Sequence, residues 1–140
     1  MTVELLAALA VITLGLIQVM WQAIEFRRVH GVDYANTAQD KPSEKPDSLL
    51  LGRLTRALRN LNETLAFFLG IVIILAFMDV STAVTQWAAI IFAAARIIYL
   101  PLYAVGIPYI RGLVWTISFT ALITLTVVAL SSADWPMLPF

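Results

Sequence analysis

Cysteine is absent from this chain, histidine occurs once, and charged side chains make up only 13% of its 140 residues. Without cysteine there is no disulfide framework and no protein thiol, so any thiol chemistry must arrive on a ligand. A single histidine, His30, cannot build a multi-histidine metal site, and no metal is expected. The phosphate loop G-x-x-x-x-G-K-[ST], the zinc motif H-E-x-x-H and the nucleophile elbow G-x-S-x-G are all missing. Formal net charge is zero, which leaves no electrostatic footprint for nucleic acid.

What is plentiful is apolar surface. Hydrophobic residues make up 61% of the chain, against just under half in an ordinary soluble domain. That excess implies an all-α integral membrane protein whose solvent is the lipid bilayer. Hydropathy places four helices at about 3–26, 49–78, 82–105 and 109–131, forming one up-down bundle across residues 1–140. The first apolar run lacks a basic leader and has no small-residue cleavage site after it, so it reads as a retained span rather than a signal peptide. A polar segment at about 27–48 carries Pro42 and Pro46 and is the one candidate for disorder.

Basic residues set the orientation. Arg27, Arg28, Lys41, Lys45, Arg53, Arg56 and Arg59 flank the loop between spans one and two, and Arg111 comes just after the turn between spans three and four. The N-terminus, the Asp79 turn and the C-terminal SSADWPMLPF carry no lysine or arginine. The positive-inside rule therefore places both termini outside and the basic loops in the cytoplasm, at the inner membrane for a bacterial chain.

The stretch RALRNLNE, Arg56 to Glu63, leads directly into the apolar second span. At 100° per residue, Asn60 lies about 40° to one side of Arg56 and Glu63 about 20° to the other, with Arg53 at about 60°. Arg56, Asn60 and Glu63 thus share a narrow polar face. Glu63 leads into an apolar run and is expected to face other helices rather than lipid. In ARIIYLPLY of the third span, Arg96, Tyr99 and Tyr103 stand at i, i+3 and i+7 on one face, with Pro101 expected to kink the helix. Simpler readings compete. Arg53, Arg56 and Arg59 also suit interfacial anchors, Glu63 also suits pairing with Arg59 or Arg96, and the tyrosines also suit the interfacial belt. Trp21, Trp115 and Trp135 read as interface anchors and His30 as a loop residue.

At these residues the chain resembles the MAPEG family, the membrane-associated proteins in eicosanoid and glutathione metabolism, as a bacterial-type member. R-A-x-x-N-x-x-E at Arg56, Ala57, Asn60 and Glu63 is similar to the family's second-helix motif, and R-x-x-Y-x-x-x-Y at Arg96, Tyr99 and Tyr103 to its third-helix pattern. The pair Arg27–Arg28 lies where members carry basic residues at the end of helix one. The resemblance implies a homotrimer that binds glutathione as co-substrate between protomers near the cytoplasmic face. Arg28, Arg56, Asn60, Glu63, Arg96, Tyr99 and Tyr103 would form the glutathione site, with Arg111 as the catalytic arginine beside the sulfur. Arg111 stands one residue further from Tyr103 than the family pattern. Leu58 replaces a glutamine of some members, and Thr64 a tyrosine.

The implied chemistry is activation of a glutathione thiolate for attack on a lipophilic small molecule, an electrophile or a peroxide. Two rivals stay open. One is a protein of the same fold without transferase activity. The other is a small four-span multidrug exporter, which needs a carboxylate in the middle of helix one. Here that helix offers only Gln18 and Gln22, with Glu4 and Glu25 at its ends.

Overall fold

The computed structural model of the protein describes residues 1–133, so Trp135 and its expected anchoring role lie outside the described residues. The described chain is helical: α1 (Val3–His30), α2 (Val32–Ala35), α3 (Leu49–Phe77), α4 (Ala83–Val105) and α5 (Pro108–Ser132). All but the four-residue α2 are long and apolar enough to cross a membrane, as in an integral membrane protein. α4 and α5 share the most extensive contact, α1 lies against α3 and α4, and α3 also touches α5.

The helix boundaries come from local chemistry. Thr2 and Ser48 cap α1 and α3 by accepting the amide hydrogens of Leu5 and Leu51. Thr82 and Thr85 cap α4 reciprocally, and Pro108 opens α5, where its missing N–H costs nothing. α4 continues through Pro101 to Val105 and ends on Gly106 at φ 85°, a left-handed conformation that suits glycine. Hydropathy alone stops the first helix near residue 26, yet α1 runs on to His30. Its last turn needs no apolar side chains. At 28 residues α1 is about 42 Å long and overshoots the hydrocarbon, while Arg27, Arg28 and His30 complement the negative end of its dipole.

Small residues make the interior. Ala7, Ala8, Ala57, Ala88, Ala89, Ala93, Ala121 and Ala129 are buried, and they let the backbones approach as membrane helices do. Phe68 and Phe92 stack at 4.0 Å between centroids where α3 meets α4. Leucines such as Leu51, Leu61, Leu75 and Leu125 fill the rest of the interior, while other large apolar side chains, such as Leu16, Phe67 and Trp87, point outward.

Polar ties fix both ends of the bundle. At the end without basic residues, Glu4 is buried and accepts hydrogen bonds from the hydroxyls of Ser81 and Thr85, which joins the start of α1 to the start of α4. At the basic end, buried Glu25 accepts two bonds from Arg28, each 2.8 Å, and one of 2.9 Å from Ser48. The end of α1 is thereby tied to the start of α3.

The segment expected to be disordered is gathered by a residue expected to lie within it. His30 closes α1, and its ring forms a three-ring cluster with Phe26 and Tyr34. Its Nδ1 lies 2.7 Å from the Ser43 hydroxyl and its Nε2 2.9 Å from Asp47, and the Tyr34 hydroxyl donates to the Lys41 carbonyl. His30→Ala removes both ring bonds, each worth about 1 kcal/mol net, so hydrogen exchange across residues 31–47 should accelerate by roughly tenfold or more. The spanning helices should keep their protection. Equal exchange in the parent and the variant would show that His30 does not hold the segment.

Candidate functional site

The polar residues of α3 and α4 meet around one buried cation. Arg96 is 1% exposed and is among the largest fully buried side chains in the chain. Its Nη1 donates to Asn60 Oδ1 at 2.8 Å and its Nη2 to Thr64 Oγ1 at 2.9 Å. The guanidinium lies 5.2 Å from the centroid of Phe92 and 5.8 Å from that of Tyr99, so ring faces supply further stabilisation of the charge. No carboxylate among the described residues forms a salt bridge with Arg96, and its Nε hydrogen has no acceptor there.

These bonds orient Asn60. Arginine has only donors, so the amide must turn its oxygen toward Arg96. The Asn60 NH2 group is left as the donor available to a ligand. Arg96 therefore stands behind Asn60, out of direct reach of the surface. Thr64, marked in the sequence only as a departure from the family pattern, is the second acceptor. Its position one helical turn beyond Asn60 was the available signal.

From Arg96 the contacts continue toward the α4–α5 turn. The rings of Tyr99 and Tyr103 are 5.4 Å apart, and the Arg111 guanidinium sits 4.7 Å from the centroid of Tyr103. Arg111 is half-buried on the first turn of α5. The structure thus brings Asn60, Arg96, Tyr99, Tyr103 and Arg111 into one connected line.

Three of the expected site residues lie outside that line. Arg56 and Glu63 are exposed on the surface of the single chain, one with its guanidinium folded back over Gly52, the other 4.0 Å from Arg59. The buried stripe of α3 runs through Leu54, Ala57, Leu61, Thr64 and Phe68, and Asn60 marks its border. Arg56 and Glu63 fall about 40° and 60° beyond Asn60 on the helical wheel, and Glu63 acts on Arg96 and Tyr99 of α4 only through its charge, without a direct contact. Arg28, the third, is held by both oxygens of Glu25. That pairing was legible as an i, i+3 acid–base couple, a local signal that the basic character of the helix end concealed.

Glu63 is the middle residue of α3, 14 positions from either end. A charge there lies about 21 Å along the helix from Phe77, inside a hydrocarbon layer of about 30 Å. Its side chain is 62% exposed on the single chain.

A family model matches residues 5–131 of the sequence and is that of the MAPEG family. The chain belongs to the MAPEG family. It is therefore a membrane protein of the family associated with glutathione and eicosanoid metabolism, and the reading as a small multidrug exporter is set aside. No curated protein and no solved structure matches the chain.

In this MAPEG protein, Thr64→Val would leave a buried guanidinium N–H without its acceptor. The expected cost is about 1.5–3 kcal/mol, the range for a hydrogen bond to a charged group. Thr120→Val serves as the control, since that exposed hydroxyl bonds only its own helix backbone. Unfolding in detergent should separate the two variants, and equal stabilities would remove Thr64 from the Arg96 network.

Proposed function

We propose that the protein binds glutathione at the basic end of the bundle and activates its thiol for attack on lipophilic electrophiles. The observation that carries this reading is the buried Arg96 cation, which has no carboxylate in salt-bridge contact among the described residues and holds Asn60 as a donor beside the exposed charges Arg56 and Glu63. Glutathione has the complementary groups: two carboxylates for Arg56 and the Asn60 amide, and an ammonium for Glu63. Tyr99 and Tyr103 line the same site, and Arg28 joins it from the end of α1 once Glu25 shares its guanidinium.

Charges at the depth of Glu63 are costly against lipid, by about 2.5 kcal/mol or more each. We take the α3 face to be covered by a second copy in a homotrimer of up-down bundles, with the ligand between protomers. The termini lie outside and the basic end faces the cytoplasm, at the inner membrane in a bacterium, where glutathione would be supplied.

Arg111 is the proposed catalytic residue. A free thiol has a pKa of about 8.5, so a few per cent is thiolate at neutral pH. A fixed guanidinium beside the sulfur favours the thiolate. A shift of about two units corresponds to roughly 2.7 kcal/mol, within the range of one well-placed cation. Arginine remains charged when partly desolvated, and the Tyr103 face holds its plane. The thiolate then forms an S–C bond with an electrophilic carbon, and the leaving group departs with its bonding pair. The acceptor arrives through the bilayer and the tripeptide from water, so the reaction belongs at this boundary.

Titration calorimetry with glutathione tests binding, and a difference spectrum for bound thiolate tests activation. Arg111→Ala should raise the pH midpoint of thiolate formation toward about 8.5, so conjugation below that pH falls by up to about 100-fold with binding nearly intact. Glu63→Gln or Asn60→Ala should instead weaken binding. No heat of binding at millimolar glutathione would end the proposal, while binding without turnover would leave a glutathione-binding protein of the same fold.

A further inference from the structure

The α4–α5 turn is clamped by a side chain that the reaction itself does not require. Arg53, on the second turn of α3, donates from Nη1 to the carbonyls of both Ala104 and Val105, at 3.1 and 3.0 Å. These are carbonyls of the last turn of α4, which has no intrahelical donors to offer them, and they form the negative end of its dipole. Gly106 accommodates the clamp. Its φ of 85° turns the chain, its amide and that of Ile107 both bond the Leu102 carbonyl, and a Cβ there would run into the Arg53 guanidinium. Only Gly106 and Ile107 separate α4 from α5.

So short a turn transmits its position directly to α5. Arg111 is the fourth residue of α5, and its guanidinium is placed against Tyr103 of α4. Rotation at Gly106 would swing α5 about this point and carry the Arg111 guanidinium away from the tyrosine. We propose that Arg53 is a positioning residue: by pinning the α4–α5 turn to α3, it fixes the distance between Arg111 and the bound sulfur. The inference rests on the glutathione reading for its chemical consequence, but its geometric part stands on the single chain.

The test uses the full-length protein in detergent or lipid. Arg53→Gln should raise the pH midpoint of bound thiolate by about one unit, a roughly tenfold loss of thiolate near neutrality, with glutathione affinity within about threefold of the parent. Arg53→Lys, which keeps a charged donor at the carbonyls, should recover most of the shift. Gly106→Ala, which displaces the guanidinium from the other side, should mimic Arg53→Gln, and the double variant should add little to either. Because the chain has no cysteine, spin labels at Thr55→Cys and Ile110→Cys, both exposed positions, report the α3–α5 distance without any ligand. That distribution should be narrow in the parent and broader in Arg53→Gln. If the parent gives no thiolate signal, the glutathione reading fails, and the spin-label distances still decide whether Arg53 holds the turn. An unchanged distribution overturns the inference. So does a thiolate midpoint unmoved in a folded Arg53→Gln, which marks a merely structural clamp, or a loss of affinity at constant midpoint, which marks a direct ligand.

Discussion

A buried guanidinium whose acceptors are an amide and a hydroxyl organises this molecule. No carboxylate among the described residues lies within salt-bridge distance of Arg96, and it sits in the bundle interior between α3 and α4. A cation in such a setting is tolerated only when its donors are satisfied and the surroundings are polarisable. Asn60, Thr64 and the faces of Phe92 and Tyr99 meet that demand in part, leaving the Nε hydrogen without an acceptor among the described residues. The same contacts fix the rotation of α3 against α4, turn the Asn60 amide, and place Tyr99 within reach of Tyr103 and, through it, Arg111. Structure and candidate site therefore share one cause.

In lipid, burying a leucine between helices gains little over leaving it against acyl chains, so apolar packing alone specifies helix register weakly. Polar contacts carry that information here. Glu4 with Ser81 and Thr85 sets α1 against α4, Glu25 with Arg28 and Ser48 sets α1 against α3, and Arg53 with Ala104 and Val105 sets α3 against the α4–α5 turn. Each uses a group that would be expensive to leave unpaired, so a slip of one residue in any helix would strand a charge or a carbonyl. The alanine-rich interior allows close approach, while these ties choose among the approaches it allows.

The four spans were legible because hydropathy reports transfer to lipid directly, and the face shared by Arg96, Tyr99 and Tyr103 because helical spacing is rigid. Family membership was legible from two motifs on two helices, and the match across residues 5–131 agrees. Less visible were contacts between residues far apart in the chain. Thr64 offered only its place one turn beyond Asn60 as a sign that it partners a residue 32 positions away, and nothing local marks Ser48 as the partner of Glu25. His30 misled for a different reason. Its polarity suggested a loop, but an aromatic ring clustered with Phe26 and Tyr34 can end a helix and hold a loop at once. Glu63 shows the limit of angular reasoning on one chain: the wheel groups it with Arg56, yet it does not say which surface will cover the group.

That limit bears on how the site is completed. Arg96 presents a positive charge to the interior, Glu63 presents a negative charge outward at membrane depth, and Arg56, about 32 Å along the helix from Phe77, presents a positive charge at the edge of the hydrocarbon. A single bundle can satisfy the first through neutral acceptors but has no further helix to lay over the second. In the proposed homotrimer a neighbouring copy would supply cover but, being identical, would bring its own exposed charges to the same depth. A peptide carrying both signs of charge at that junction would answer charges that the protein surfaces cannot all answer for each other. The polar face of α3 is on this view neither an interfacial anchor nor a finished pocket. Under the proposed function it would be one wall of a site that a second chain and, on the lipid side, the acceptor complete.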